Sequence, residues 1–229
     1  MNEHKNTSSQ EEKTFTEEEV KYMAAQLRCP SGQEAVEVAQ KLNVNNGKMT
    51  QRVIEQLSLV AGQKVLEIGM GNGAFIPEVL AKAPDLHYYG LELSEEMVKE
   101  AQKAVADLPN AQILHGSSEK LPFEDHQLDA VFTVNTLYFW EEPIVHLREI
   151  KRVLRTGGTL YLSFRSEKFM KDLPMVKYGF QLYEGDSVKK LLESLSFTVK
   201  SIIYEQDESM SFLGKEMLKD LYIVEASKS

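Results

Sequence analysis

Two hydrophobic periods take turns along most of this chain. Short apolar runs, "KVLEIG", "HYYGLEL", "AQILHG", "LDAVFTVNTL" and "TLYLSF", read as strands, whereas "AFIPEVLAKA", "SEEMVKEAQKAVADL" and "EEPIVHLREIKRVL" between them read as helices. Ser94 stands where an N-cap belongs, and Gly157-Gly158 makes a turn before the fifth run. The strand runs are nearly continuous rather than alternating, so both of their faces are buried. That predicts a parallel sheet with helices on both sides, joined by right-handed crossovers. A last helix, "SVKKLLESL", leads to two more β-like runs, "FTVKSIIYE" and "KDLYIVEAS", joined by a polar connector and paired as a C-terminal antiparallel hairpin. The result is a doubly wound α/β sheet of seven strands, mostly parallel.

Helical signals also precede the first strand. Thr16 is an N-cap with Glu19 in capping-box position, and Val20, Met23, Ala24 and Leu27 form one apolar stripe that "CPSG" ends. A second helix is predicted over about residues 33–42 and a third over about 49–57, separated by "NVNNGK". Residues 17–60 therefore form an N-terminal helical cap and 61–229 the main domain. Residues 1–16 are polar and charged without period, which predicts a disordered tail. "RSEKFMKDLPMVKYGFQLYEGD" has weak period and several aromatics, and is placed as an insertion near the edge of the sheet.

Composition narrows the partners. Lys and Arg number 26 against 35 Asp and Glu, a formal charge of -9, which leaves no electrostatic footprint for nucleic acid. Cys29 is the single cysteine, too few for an internal disulfide or a thiolate metal site, and no metal is expected. Met1 to Gln10 lacks the basic start and apolar middle of a secretory signal, and no apolar run approaches the roughly 18 residues of a membrane span. The expectation is a cytoplasmic chain without a membrane partner.

The candidate chemistry lies in "VLEIGMGNGAF". In an open α/β sheet, ligands bind beyond the carboxyl ends of the strands, where the first turn feeds a helix with free N–H groups. Gly69, Gly71 and Gly73 occupy that turn, where glycine permits positive φ and a close approach of ligand to backbone. Gly69, Gly71 and Ala74 also fit a dinucleotide pattern, so a nicotinamide-dependent oxidoreductase is the rival reading. Two acids separate the readings. Glu67 lies inside the strand, where a carboxylate needs a cationic or hydrogen-bond-donating partner, such as a ligand ammonium. Glu92 ends the second strand, 19 residues beyond Gly73, the place from which a carboxylate accepts both hydroxyls of a ribose. Acid, glycine turn and acid together suit a nucleoside with a positively charged tail.

These residues resemble the class I S-adenosylmethionine-dependent methyltransferases. "EIGMGNG" matches the family's acid-x-G-x-G-x-G motif, Glu92 its ribose acid, and the stretch from "HGSSEKLPFEDHQLDAVFTVNTLYFW" to "TLYLSF" looks like the rest of its core. The resemblance covers about residues 62–164 and implies a Rossmann-like sheet that binds S-adenosyl-L-methionine and releases S-adenosyl-L-homocysteine. Carried over by position, it puts Gly69, Gly71 and Gly73 under the methionine and ribose portions and Leu93 against the adenine. Ser117 and Ser118 fall in the adenine loop, with Ser117 where the family often has an acid, and Asn135 falls nearest the methyl group.

Tyr138, Phe139 and Trp140 follow the fourth strand, where a substrate lies, and aromatic faces attract a sulfonium or a cationic substrate. Tyr22, Met49, Tyr178, Phe180 and Tyr183 are lid candidates by position, Tyr178 and Tyr183 also as pocket residues. His115 and His146 read as structural, and no catalytic base is assigned. The implied function is methyl transfer by in-line displacement to a small-molecule acceptor, by a monomer or homodimer. A quinone or a protein substrate is the alternative, and a non-catalytic cofactor-binding protein is the rival that is not an enzyme.

Overall fold

The computed structural model describes residues 15–229, and residues 1–14 of the predicted tail lie outside the described residues. Phe15 stacks on Phe212 with ring centroids 6.3 Å apart, and Thr16 opens the first helix. That helix, α1 (Glu17–Arg28), starts on the expected capping box. The Thr16 amide donates to Glu19 Oε2 at 2.7 Å, and the Glu19 amide donates to Thr16 Oγ1 at 3.2 Å.

The next helix corrects the sequence reading. Two helices split at "NVNNGK" are expected, but α2 (Ala35–Gln56) runs unbroken for 22 residues. Asparagine and glycine are poor helix formers, and tertiary contacts offset that preference here. Asn43 donates to Asn72 Oδ1 at 3.1 Å, Arg165 Nη2 donates to Asn46 Oδ1 at 3.4 Å, and Gly47 lies against the Phe75 ring. Ala35, Ala39, Met49, Val53 and Ile54 give α2 its buried face.

Strands β1 (Lys64–Ile68), β2 (His87–Glu92), β3 (Ala111–His115), β4 (Leu128–Val134), β5 (Leu154–Phe164), β6 (Phe197–Phe212) and β7 (Lys215–Lys228) make one seven-stranded sheet, ordered β3-β2-β1-β4-β5-β7-β6. The first five pair in parallel, and β7 runs antiparallel to both β5 and β6. Between them stand α3 (Ile76–Leu80), α4 (Glu95–Ala104), α5 (Pro143–Val153), α6 (Glu167–Met170) and α7 (Gly185–Ser194). Alternate residues face opposite layers. Leu66, Val131, Leu160 and Leu162 join Leu147 and Ile150 of α5 and Val188 of α7 in one core, whereas Val65, Phe132 and Tyr161 join Met49 and Val53 of α2 in the other.

The C-terminal hairpin is longer than the sequence suggests. In place of a polar connector, the strands stay paired from Ser209–Leu218 to Phe212–Lys215 and turn through Leu213 and Gly214, at φ 51° and 74°. Two left-handed residues suit the twist of a hairpin. Met210 and Phe212, set among polar neighbours, pack against the core and hold the extension in place. The weakly periodic insertion folds as α6 and a 3-10 turn, Pro174–Lys177, with Met175 packed against Val20 and Ala24 of α1.

The strand order reverses between β1 and β4, and in an open α/β sheet the ligand crevice lies beyond the carboxyl ends of such a pair. The Asn43–Asn72 and Arg165–Asn46 bonds bring the middle of α2 against the turn after β1 and the end of β5.

Candidate cofactor site

The turn after β1 carries its three glycines at φ 77°, 59° and 76°. The sequence reading lays all three beneath a ligand, but their surroundings differ. A Cβ on Gly69 overlaps the Thr136 side chain, and one on Gly73 comes within 2.9 Å of Ile76 Cδ1 and 3.0 Å of Ala101 Cβ. A Cβ on Gly71 meets nothing within 4 Å. Gly69 and Gly73 therefore let the turn pack on its neighbours, and Gly71 presents bare backbone to open space.

Glu92, at the tip of β2, is buried, with 7% of its surface exposed. Its Oε2 accepts the Gly71 amide at 3.0 Å, and its Oε1 accepts those of Leu93 at 2.8 Å and Ser94 at 3.0 Å. One carboxylate thus joins the glycine turn to the start of α4, where Ser94 caps the helix by accepting from Met97 N at 3.2 Å. Three of the about four lone-pair sites of a carboxylate are thus taken, and Oε2 keeps acceptor capacity.

Glu67 is buried in β1, and its partner lies within the protein. Tyr88 Oη donates to Glu67 Oε2 at 2.5 Å. Burial pushes the Glu67 carboxyl up to about 7; the Tyr88 hydrogen bond opposes this and the charge of Glu92 adds to it. The Tyr88 phenol is held well above its ordinary range by burial and by Glu67, so it remains a donor. The sequence reading missed this pair. Its one signal was Gly90 two residues after Tyr88, an interior strand glycine of the kind that marks a close approach.

The adenine-loop candidates are engaged locally. Ser117 Oγ accepts from Glu119 N at 3.2 Å, and Ser118 Oγ, buried, sits 2.7 Å from His146 Nδ1. His146 stacks on Trp140 at 4.7 Å, and burial lowers its pKa against the pull of Glu119. His115 Nε2 lies 3.0 Å from the Leu93 carbonyl, and the Leu93 side chain is 45% exposed. Both histidines thus tie loops to neighbouring elements.

Asn135 ends β4 at φ 59°, its amide donates to Ser163 O at 2.9 Å, and its Oδ1 accepts from Tyr138 Oη at 2.7 Å. Tyr138 Oη also accepts the Arg165 amide at 2.5 Å. Tyr138 and Trp140, both substrate-pocket candidates, are buried, their rings packed against Phe180 and His146. Phe139 is part-exposed and meets Phe180 edge-on at 4.7 Å. Tyr178 donates to Glu17 Oε1 at 3.0 Å and Tyr183 to Gln181 Oε1 at 2.8 Å; Met49 is wholly buried in the core, not a lid residue. Tyr22 donates to Glu34 Oε2 at 2.9 Å.

A doubly wound sheet whose switch point carries an acid, a bare-backbone turn and a second acid belongs to the nucleoside-binding α/β folds. Comparison with known proteins sharpens the class. Residues 66–162 match the methyltransferase-domain family. The uncharacterized methyltransferase YdaC of Bacillus subtilis (strain 168) is 31% identical over 113 residues, covering 49% of this chain and 62% of that protein, so the match spans less than two thirds of the relative's length. The demethylmenaquinone methyltransferase of Staphylococcus aureus (strain JH9) is 27% identical over 172 residues, covering 75% of this chain and 70% of that one. A crystal structure of an S-adenosylmethionine-dependent methyltransferase from Aquifex aeolicus superposes with TM-score 0.62 at 21% identity, covering 94% of this chain and all of the other. Over residues 66–162 the chain is thus similar to a methyltransferase domain, and it shares its fold with an S-adenosylmethionine-dependent methyltransferase.

Proposed function

We propose that this chain transfers a methyl group from S-adenosylmethionine to a small-molecule acceptor. The observation that carries the reading is the open face of Gly71 beside the buried carboxylate of Glu92, with a second buried acid, Glu67, at the same strand ends. The residues fit the cofactor. Glu92 Oε2 has acceptor capacity for a ribose hydroxyl, Gly71 admits the chain that follows, and Glu67 faces the cationic end. When bound, the cofactor supplies an electrophilic methyl on a sulfonium. This chain's residues then bind and orient it and exclude water; such alignment contributes roughly 7 to 11 kcal/mol, so a dedicated base is not required. Asn135 stands at the end of β4, on the side of the turn where the transferred group would lie, and Phe139 with Phe180 offers an apolar, aromatic edge to an acceptor.

A second reading, methylation of a quinone-type ring, is supported by the relative from Staphylococcus aureus and by that aromatic edge. The test is incubation with isotopically labelled S-adenosylmethionine against extracted small metabolites, a reduced quinone lacking its ring methyl, and a protein fraction. Label in a small molecule supports the proposal, and label in the quinone alone selects the second reading. Label only in protein, or none despite bound cofactor, rejects both.

A further inference from the structure

Tyr88 and Gly90 lie on the same face of β2, and β2 pairs with β1 so that Gly90 sits beside Glu67 and Tyr88 beside Val65. The Tyr88 ring therefore leans across Gly90 to reach the carboxylate. A Cβ at position 90 would overlap the Met70 sulfur and come within 3.1 Å of Tyr88 Cε1 and 3.2 Å of its Oη. The glycine is what allows the phenol to lie there.

The bond occupies one oxygen. Glu67 Oε2 accepts from Tyr88, no protein group donates to Oε1 among the described residues, and no buried side-chain oxygen there lacks a partner. Oε1 is thus the oxygen that reaches accessible space. The titratable groups that face this carboxyl are the Tyr88 phenol and the Glu92 carboxylate of β2; β4 sets Phe132 beside it and brings no charge. A neutral donor on one side and an anion on the other leave the site without a cation of its own.

We propose that Tyr88 is a positioning residue for cofactor binding: its hydroxyl fixes Glu67 with one oxygen turned to the crevice and favours the ionised carboxylate that receives the ligand ammonium. This rests on the cofactor assignment above. Without the phenol hydroxyl, Glu67 keeps the desolvation of its site and loses the donor that offsets it, so it takes up a proton and meets the ammonium uncharged. The loss is then a matter of pH, which distinguishes it from a simple packing defect.

The test is calorimetric titration with S-adenosylhomocysteine from about pH 6 to about pH 8.5, a range that brackets the neutral region where this acid titrates. Wild type is expected to bind more tightly as pH rises and to level off once Glu67 is ionised. In Tyr88→Phe the midpoint of that rise moves up, with affinity at about pH 7 falling about tenfold per unit of displacement and returning to near the wild-type value at the alkaline end. Gly90→Ala, which keeps the tyrosine and pushes its ring from Glu67, moves the midpoint the same way and serves if Tyr88→Phe does not fold. Tyr89→Phe, on the opposite face against Phe123, leaves the profile in place. An unmoved midpoint, or a loss equal at every pH, overturns the role of Tyr88. Absence of binding by the wild type at every pH overturns instead the cofactor assignment on which it rests.

Discussion

The Glu92 carboxylate accepts the backbone amide of Gly71 at 3.0 Å, so the tip of the second strand and the turn after the first are held by one side chain. On the proposed placement of the cofactor, the residue that meets the ribose also holds the turn that the ligand passes over. Binding and local order are coupled at this point.

Glu92→Ala is therefore expected to act twice. Three amides lose their acceptor, and hydrogen bonds to a charged group contribute about 1.5 to 3 kcal/mol each. Calorimetry should show affinity for S-adenosylhomocysteine reduced at least about 100-fold, since on the proposed placement the ribose loses its charged acceptor and the turn beneath it loses its tie. Thermal unfolding should show a lower midpoint as well. A variant of wild-type stability and affinity contradicts both roles.

The glycines of the turn are expected to separate under substitution. Gly71→Arg adds a side chain to open space at φ 59°, at a backbone cost of about 1 to 2 kcal/mol, and should abolish cofactor binding with the fold kept. Gly73→Ala drives its methyl onto Ile76 and Ala101 and should lower the unfolding midpoint more. Circular dichroism melts with a binding titration check both.

How much of this was legible in the sequence depended on whether the deciding contact was local. The alternation of strands and helices along the chain, the capping box of Thr16 with Glu19 and the cap at Ser94 follow from residues within a few positions of each other. Helix α2 did not, because Asn43, Asn46 and Gly47 read as a break until Asn72, Arg165 and Phe75 are set against them. The site shows the same division. The acids and the open glycine stood out by spacing, whereas Tyr88 as the donor to Glu67, and the stacking of Trp140 on His146, depend on pairing between distant segments.

Glu67 makes a pH signature. Its folded pKa, raised to about 7 from 4.5, means that between these values the native chain holds a proton the unfolded chain has released. Stability is lost as pH rises through that window, by on the order of 3 kcal/mol in all, and the loss is complete above it. Glu67→Gln removes the titration. Its unfolding midpoint, relative to wild type, should therefore climb as pH is raised from about 4.5 to about 7.5. A difference that stays constant with pH contradicts the buried, proton-holding state.

Arg165 joins three elements beside the crevice. It donates to Asp207 Oδ2 at 3.1 Å, to the Asp220 carbonyl at 2.7 Å and to Asn46 at 3.4 Å, with both partners of the ion pair buried. Burial alone raises the Asp207 pKa, but the Glu208 amide and the Arg165 guanidinium outweigh it and hold the group below its ordinary value. Arg165→Met removes the hydrogen-bonded cation of that carboxylate and leaves it Lys219, 3.8 Å away, and should cost about 1 to 3 kcal/mol in denaturant unfolding. Adding Asp207→Asn should restore part of the loss, and strict additivity of the two changes would show that the pair is not coupled.

Calorimetric titration of the wild-type chain with S-adenosylhomocysteine, set beside the same titration with NADH, tests the central claim most directly. One saturable site for S-adenosylhomocysteine and no heat of binding for NADH is the predicted result. Binding of NADH with no response to S-adenosylhomocysteine would contradict the assignment of Gly71, Glu67 and Glu92 to a methyl-donor nucleoside.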